Sequence, residues 1–327
     1  MTVGIRDVAR AAGVSTATVS RALGRGPVSE ALRAQVEAAV RATGYRPNLS
    51  ARRLRSQSAQ TIGLIVADIR NPFFTAVSRA VEDAAFASGM RVILCNTDED
   101  PAREAMYLRL MEEERVTGVI FAPTEGTAAA LRDDPLRFPV VLIDRAGPPG
   151  THDSIVLDNP EAGAALVDHL VGQGYTRIGG LFGSTSSTAR ERRAGYEAAI
   201  ARHGLAPCVR TIPPNAGAAE AEAGRWLGQA DRPDALVVSN GLILMGAVRA
   251  ARGLGLALPG DLALAGFDNE PWTDLVEPGL TVVEQPVAEI GAQAMRLLFE
   301  RIENPDQPVR KLMLSGRLIP RGSTGRR

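Results

Sequence analysis

The chain has 327 residues, 45% of them hydrophobic and 23% charged, with a mean hydropathy near zero; this excludes a chain disordered throughout and leaves length for two or three domains. The formal net charge is zero, yet residues 1–60 hold ten arginines against only Asp7, Glu30 and Glu37, a net +7 that leaves −7 on the remainder. A basic head on an acidic body points to a polyanion partner for the head alone, because a basic patch attracts phosphates and releases their counterions.

The opening MTVGIRDVARAAG has no charged region followed by an apolar stretch, and no apolar run approaches the roughly 18 residues of a spanning helix, so a cytoplasmic protein without a membrane partner is expected. Cys95 and Cys208 read as buried small hydrophobes rather than a disulfide. His152, His169 and His203 lie far apart without nearby ligand partners, so no metal or cofactor is expected. No dinucleotide GxGxxG, P-loop or nucleophile elbow appears, which argues against an enzyme and for no catalytic residue.

In chain order, Ile5, Val8, Ala9 and Ala12 fall at helical spacing, and Gly13 follows where a left-handed residue ends a helix. Ser15 is a candidate N-cap for a second helix with Val19, Ala22 and Leu23 on one face. After the break at Gly24, Gly26 and Pro27, Ser29 caps a third, with Leu32, Val36, Ala39 and Val40 inward and its end at Gly44. Three helices with a glycine turn between the first two predict a helix-turn-helix. Such a unit needs small polar and methyl-bearing groups where its second helix enters the major groove, and Thr16, Ala17 and Thr18 qualify. Arg21 can reach guanine edges or a phosphate, and Ser20 can donate to phosphate.

The strings VARAAGVS, TVSR, GYRPN and ARRL, all within residues 8–54, resemble the N-terminus of the LacI/GalR family of bacterial transcriptional regulators. The resemblance implies that Thr16 and Ala17 stand at base-reading positions and Arg21 at a frequent base contact. It implies a hinge helix at about 48–56, too short to be stable alone, that folds on DNA. Asn48 and Arg52 would then meet DNA, and Leu54 would wedge into the minor groove.

From Thr61 onward, nine short apolar runs, IGLIVAD, RVILCN, GVIFAP, VVLIDR, SIVLD, RIGGLFG, ALVVSN, LALAGFD and TVVEQ, alternate with helix-like stretches. That alternation predicts an α/β body of parallel sheets, with ligand beyond the carboxyl ends of the strands. The polar residues just after those ends are Asp68, Asn71, Asn96, Asp144, Arg145, Asp158, Asn159, Asn240, Asp268 and Asn269. Such a lining suits a sugar-sized ligand whose hydroxyls each need a partner, with Phe73, Phe74 and Trp272 as flat apolar faces.

The resemblance continues through NPFF, IDR, VLDN, TARERRAGY, GFDNEPW and the ending RLIPRGSTG. It implies the two-lobed fold of periplasmic sugar-binding proteins: a DNA-binding head with hinge at 1–60 and an effector and dimerisation domain at 61–327. One lobe is placed at about 61–158 plus 287–321, the other at about 159–286. Asp144, Arg192, Asn240, Asp268 and Gln285 would contact the effector, with Phe73 and Phe74 near the cleft wall. Two departures separate the sequence from any one sugar: Gly241 stands where many members carry Asp, and 215–222 lacks an aromatic. Arg145, Arg190 and Arg193 favour a sugar acid or phosphorylated sugar. The reading is a homodimeric repressor on pseudo-palindromic double-stranded operator DNA, switched by a carbohydrate-related effector; a solute-binding receptor of the same architecture is the alternative, disfavoured by the basic head.

Overall fold

The structure is a computed structural model that describes residues 4–23, 27–45, 60–132 and 136–325. The hinge expected at 48–56, with Asn48, Arg52 and Leu54, lies outside the described residues. The chain divides into two compact units, Met1–Ala59 and Gln60–Arg327.

In the first unit, helices Ile5–Ala11, Thr16–Leu23 and Glu30–Thr43 enclose Val8, Ala9, Ala12, Val19, Ala22, Val36 and Ala39. Gly13 has φ +60° and Gly44 φ +66°, the left-handed values that stop a helix at little cost only in glycine. Ser15 and Ser29 cap the second and third helices by accepting from Thr18 N at 3.1 Å and Leu32 N at 3.4 Å. Leu32 itself is half-buried and stands outside the cluster. The third helix also holds the carboxyl ends of the other two, since Gln35 donates to Ala12 O and Arg33 to Ala22 O.

The second unit holds two six-stranded sheets built on the same plan. Strands are numbered β1 (Thr61–Val66), β2 (Arg91–Asn96), β3 (Gly118–Phe121), β4 (Val140–Ile143), β5 (Asp153–Leu157), β6 (Ile178–Gly183), β7 (Cys208–Ile212), β8 (Ala235–Val238), β9 (Ala263–Phe267), β10 (Thr281–Glu284), β11 (Lys311–Leu314) and β12 (Arg317–Ile319). The sheet orders are β11-β5-β4-β3-β1-β2 and β12-β10-β9-β8-β6-β7. All neighbours pair parallel except β12, which runs antiparallel to β10. Apolar clusters fill both faces of each sheet, as parallel sheets buried on both sides require.

The chain crosses between lobes after β5, after β10 and between β11 and β12. Helix Val287–Glu303 returns to pack Ile290, Ala294, Leu297 and Leu298 on the first sheet. The last crossing corrects the expected boundary: residues 317–321 belong to the second lobe. Val282 pairs with Ile319, and the turn Gly322–Thr324 binds there through Ser323 Oγ to Leu264 O at 2.6 Å. Edge strands β7, β11 and β12 were not among the predicted runs because their residues are largely exposed and interrupted by polar side chains. Cys95 is buried as expected, whereas Cys208 on edge strand β7 is exposed. Among the described residues no helix is long and apolar enough to cross a membrane, and no cluster of three or more His, Cys, Asp or Glu could hold a metal ion.

Candidate effector cleft and DNA-facing helix

Each sheet reverses direction in chain order between its first and third strands, and such a switch point leaves a crevice beyond the carboxyl ends. The two crevices face each other around a cavity of about 60 Å³. Much of its lining follows strand ends: Asp68 and Asn71 after β1, Glu99 after β2, Asp144 and Arg145 after β4, Ser186 after β6, Pro214 after β7, Asn240 after β8, Asp268 after β9 and Gln285 after β10.

Asp144 and Asp268 occupy equivalent places in the two lobes, and both adopt left-handed backbone, with φ +64° and +76°. Asp144 N donates to Ile155 O and Asp268 N to Val283 O, each on the next strand of its sheet. Non-glycine residues hold this conformation at a cost of about 1–3 kcal/mol, which the surrounding hydrogen bonds must offset.

Arg192 lies between them. Its side chain is 4% exposed, stacks 4.0 Å above the Phe267 ring, and donates through Nε to Asn159 at 2.8 Å and through Nη1 to the Ser239 carbonyl at 2.6 Å. Burial lowers its pKa, against the pull of Asp268 and Asp144. Nη2 makes no hydrogen bond within the described residues and is the free end of the fork. Helix Ser187–Arg202 sets this position through close packing on helix Asn159–Gly172. A Cβ on Gly195 would come within 1.9 Å of Pro160 O, and one on Gly163 within 2.2 Å of Arg192 O.

Asp268 accepts from Gln285 Nε2 at 2.7 Å and from Gly241 N at 2.9 Å. Asn240 caps helix Gly241–Gly253 by accepting from Ile243 N at 2.8 Å, leaving its amide nitrogen for a ligand. A Cβ at Gly241 would sit 2.6 Å from Glu270 Oε1, the far end of a side chain that would have to move aside. Burial pushes the Glu270 carboxyl up, and its other oxygen accepts from Trp272 Nε1.

The Asp144 carboxyl makes no hydrogen bond among the described residues; its Oδ2 lies 3.3 Å from Arg145 Nε. Burial pushes its carboxyl up, only partly offset by Arg145 and Arg192. Phe73 and Phe74 line the cavity, yet both also belong to the apolar core of the first lobe, with rings edge to face at 5.1 Å.

All seven residues proposed from sequence for the effector therefore surround one cavity. Trp272 does not line it and packs instead with the second lobe's apolar cluster. Asn96 and Asn269 are spent on loop contacts, to Ile69 N and Asp98 and to Glu284 and Arg321. Asp158 caps helix Asn159–Gly172. Sequence reasoning missed Glu99, Ser186, Thr188 and Leu242; the polar run after β2 was a signal for Glu99, while the Ser239 carbonyl that holds Arg192 leaves no side-chain signal at all. The three arginines read as anion-favouring are engaged: Arg145 with Glu99, Arg190 with Glu125 and Arg193 with Glu197.

On the first unit, Thr16, Ala17 and Arg21 are exposed on helix Thr16–Leu23, and Thr18 and Ser20 are half-buried. Arg21 Nε rests 3.4 Å from Ala17 O. The face opposite the Val19 and Ala22 core thus carries the residues proposed for DNA.

Comparison with known proteins agrees with both units. Residues 4–48 match the bacterial regulatory proteins of the lacI family, and residues 167–324 match a periplasmic binding protein-like domain. The chain is 37% identical to the HTH-type transcriptional regulator PtxS of Pseudomonas plecoglossicida, over 98% of this chain and 96% of that one. It is 34% identical to the ribose operon repressor of Escherichia coli K12, over 98% and 99%. Among solved structures, it resembles the Lac repressor dimer bound to operator and the anti-inducer ONPF, with TM-score 0.88, 25% identity, and coverage of 99% of this chain and 100% of that chain.

Proposed function

Because the chain belongs to the LacI family of bacterial transcriptional regulators, a DNA-binding family, we propose that it is a homodimeric repressor whose two heads read half-sites of a pseudo-palindromic operator. It works in the cytoplasm, beside its operator, and binds its ligand without transforming it. Thr16, Ala17 and Thr18 meet base edges, Arg21 reaches a guanine, and Ser20 donates to phosphate. The resemblance adds Asn48, Arg52 and the Leu54 wedge as operator contacts.

The effector is a polyhydroxyl compound of sugar size, received between the lobes. The observation that carries this reading is Arg192, a buried guanidinium with one free edge between two equivalent carboxylates. A sugar hydroxyl donates and accepts at once, so it is satisfied only where acceptors and donors alternate. Asp144 and Asp268 accept, the Gln285 carbonyl accepts, and Arg192 and Asn240 donate. The three engaged arginines move the ligand from a sugar acid or phosphate toward a neutral sugar. A cavity of about 60 Å³ admits a few waters rather than a sugar ring, so the lobes part to load the ligand. The change in lobe angle alters the spacing of the two hinge segments and couples cleft to operator by about 1–3 kcal/mol.

The test is a thermal-shift panel of neutral sugars, sugar acids and sugar phosphates on parent protein and Arg192→Met, with each hit titrated into the operator complex. A neutral-sugar response that disappears in Arg192→Met and changes operator affinity is expected. A response that survives Arg192→Met would remove the cleft from the mechanism.

A further inference from the structure

We infer that Glu99 sets the charge preference of the cleft, neutralising Arg145 so that the site rejects anionic sugars. The inference rests on the cleft being the effector site and adds a selectivity residue to it.

Arg145 lines the cavity and is 5% exposed. Its Nη2 donates to Glu99 Oε1 at 2.5 Å, and its Nη1 donates to Glu99 Oε2 at 3.4 Å and to the Pro123 carbonyl at 3.1 Å. A planar guanidinium held two-pronged by a carboxylate has little left to offer a second anion. Without Glu99, the same guanidinium would be the natural dock for a carboxylate or phosphate on a ligand.

The loop that presents Glu99 is built for the purpose. Asp98 and Glu99 are both left-handed, φ +52° and +60°, a conformation that L side chains rarely adopt. Bonds on every side hold it: Glu99 N to Ala67 O at 3.2 Å, Thr97 N to Val66 O at 3.0 Å, and Asp98 with Asn96, Arg70 and Arg103. Asp100 then caps helix Pro101–Glu113. The backbone thus turns the Glu99 carboxylate back toward β4 rather than outward with the exposed acids beside it.

The charge balance of the lining follows. Four carboxylates, Asp68, Glu99, Asp144 and Asp268, face two guanidiniums, Arg145 and Arg192. Arg70 answers Asp68 from outside the lining. A ligand anion would therefore compete with Asp144 and Asp268 for Arg192 alone.

The test compares the parent chain, Glu99→Gln and Glu99→Gln/Arg145→Gln by thermal shift and calorimetry. The probes are D-ribose, D-glucose, D-gluconate, D-ribose 5-phosphate and inorganic phosphate. Glu99→Gln takes the two-pronged partner from a buried cation and leaves it only the Asp144 carboxyl, 3.3 Å from its Nε, as an ion-pair partner, so its melting temperature should fall and inorganic phosphate should restore it, with no such effect on the parent. Its affinity for an anionic probe relative to a neutral one should rise at least tenfold over the parent's, and the double variant should lose both changes. A parent that binds gluconate or ribose 5-phosphate as tightly as a neutral sugar overturns the inference, and so does a Glu99→Gln protein that phosphate does not rescue. Silence of the parent toward neutral sugars, with phosphate rescue intact, would sink the sugar assignment while upholding the role of Glu99.

Discussion

Asp144 shows how burial and partners decide what a single carboxyl does. Its side chain is 9% exposed, and burial raises its pKa despite Arg145 and Arg192. In the unfolded chain the same group releases its proton in the ordinary carboxyl range. Between the two values the unfolded chain has lost a proton that the native protein keeps, so stability falls as pH rises through that window. Asp144→Asn has no such group. Its melting temperature minus that of the parent should therefore become more positive as the pH rises through and above the ordinary carboxyl range. A difference that stays flat across that range would mean that Asp144 ionises in the folded protein as it does in water.

Between elements, the placement of Arg192 depends on two helices that touch backbone to backbone. Helix Asn159–Gly172 supplies Asn159 to the guanidinium at one end and Gly163 to the contact, while helix Ser187–Arg202 supplies Arg192 and Gly195. Gly195→Ala forces a methyl to within 1.9 Å of Pro160 O, which only a shift of one helix relieves. Overpacking of this kind costs about 1–3 kcal/mol, and it moves the residue proposed to hold the ligand. The variant should melt several degrees lower and lose affinity for any cleft ligand together. Full affinity at reduced stability, measured by calorimetry, would show that the helices carry Arg192 without fixing it. This contact was invisible in the sequence, where Gly195 is one glycine in a helical run. Arg192 itself was legible, because the TARERRAGY string resembles a family motif.

Across the effector unit, the two lobes repeat one plan, and that repetition places Asp144 opposite Asp268. The lobes are also joined by an ion pair: Arg190 of the second donates through two nitrogens to Glu125 of the first, both at 2.9 Å. Both side chains are exposed, at 59% and 63%, so the pair is screened by water and salt. Exposed pairs contribute about 0.2–1 kcal/mol, and a pair that bridges the two lobes should bias the cleft toward closure by that amount. Glu125→Lys should widen the population of open molecules in small-angle scattering and weaken a cleft ligand about 1.4- to 5-fold. Adding Arg190→Glu should reverse most of that change. An unchanged scattering profile and affinity in Glu125→Lys would leave the pair as a surface contact without influence on closure.

The sequence by itself determined the helix-turn-helix head, the alternating α/β body, and the cluster of polar residues after strand ends. Helical spacing, glycine stops and apolar runs are local, and they need no knowledge of the remote chain. The family motifs added the seven residues proposed for the effector, which the folded unit gathers around one cavity. Only the tertiary structure decided which charges were free. Arg145, Arg190 and Arg193 look alike in a string, yet each meets its own glutamate, two of them from distant segments. It also decided that Trp272 turns away, that Glu99 turns in, and that 317–321 joins the second lobe. The Arg193–Glu197 pair is four residues apart on one helix and is readable locally, whereas the pairings of Arg145 and Arg190, side-chain direction and edge-strand partnership arise between segments far apart in the chain, so no local pattern records them.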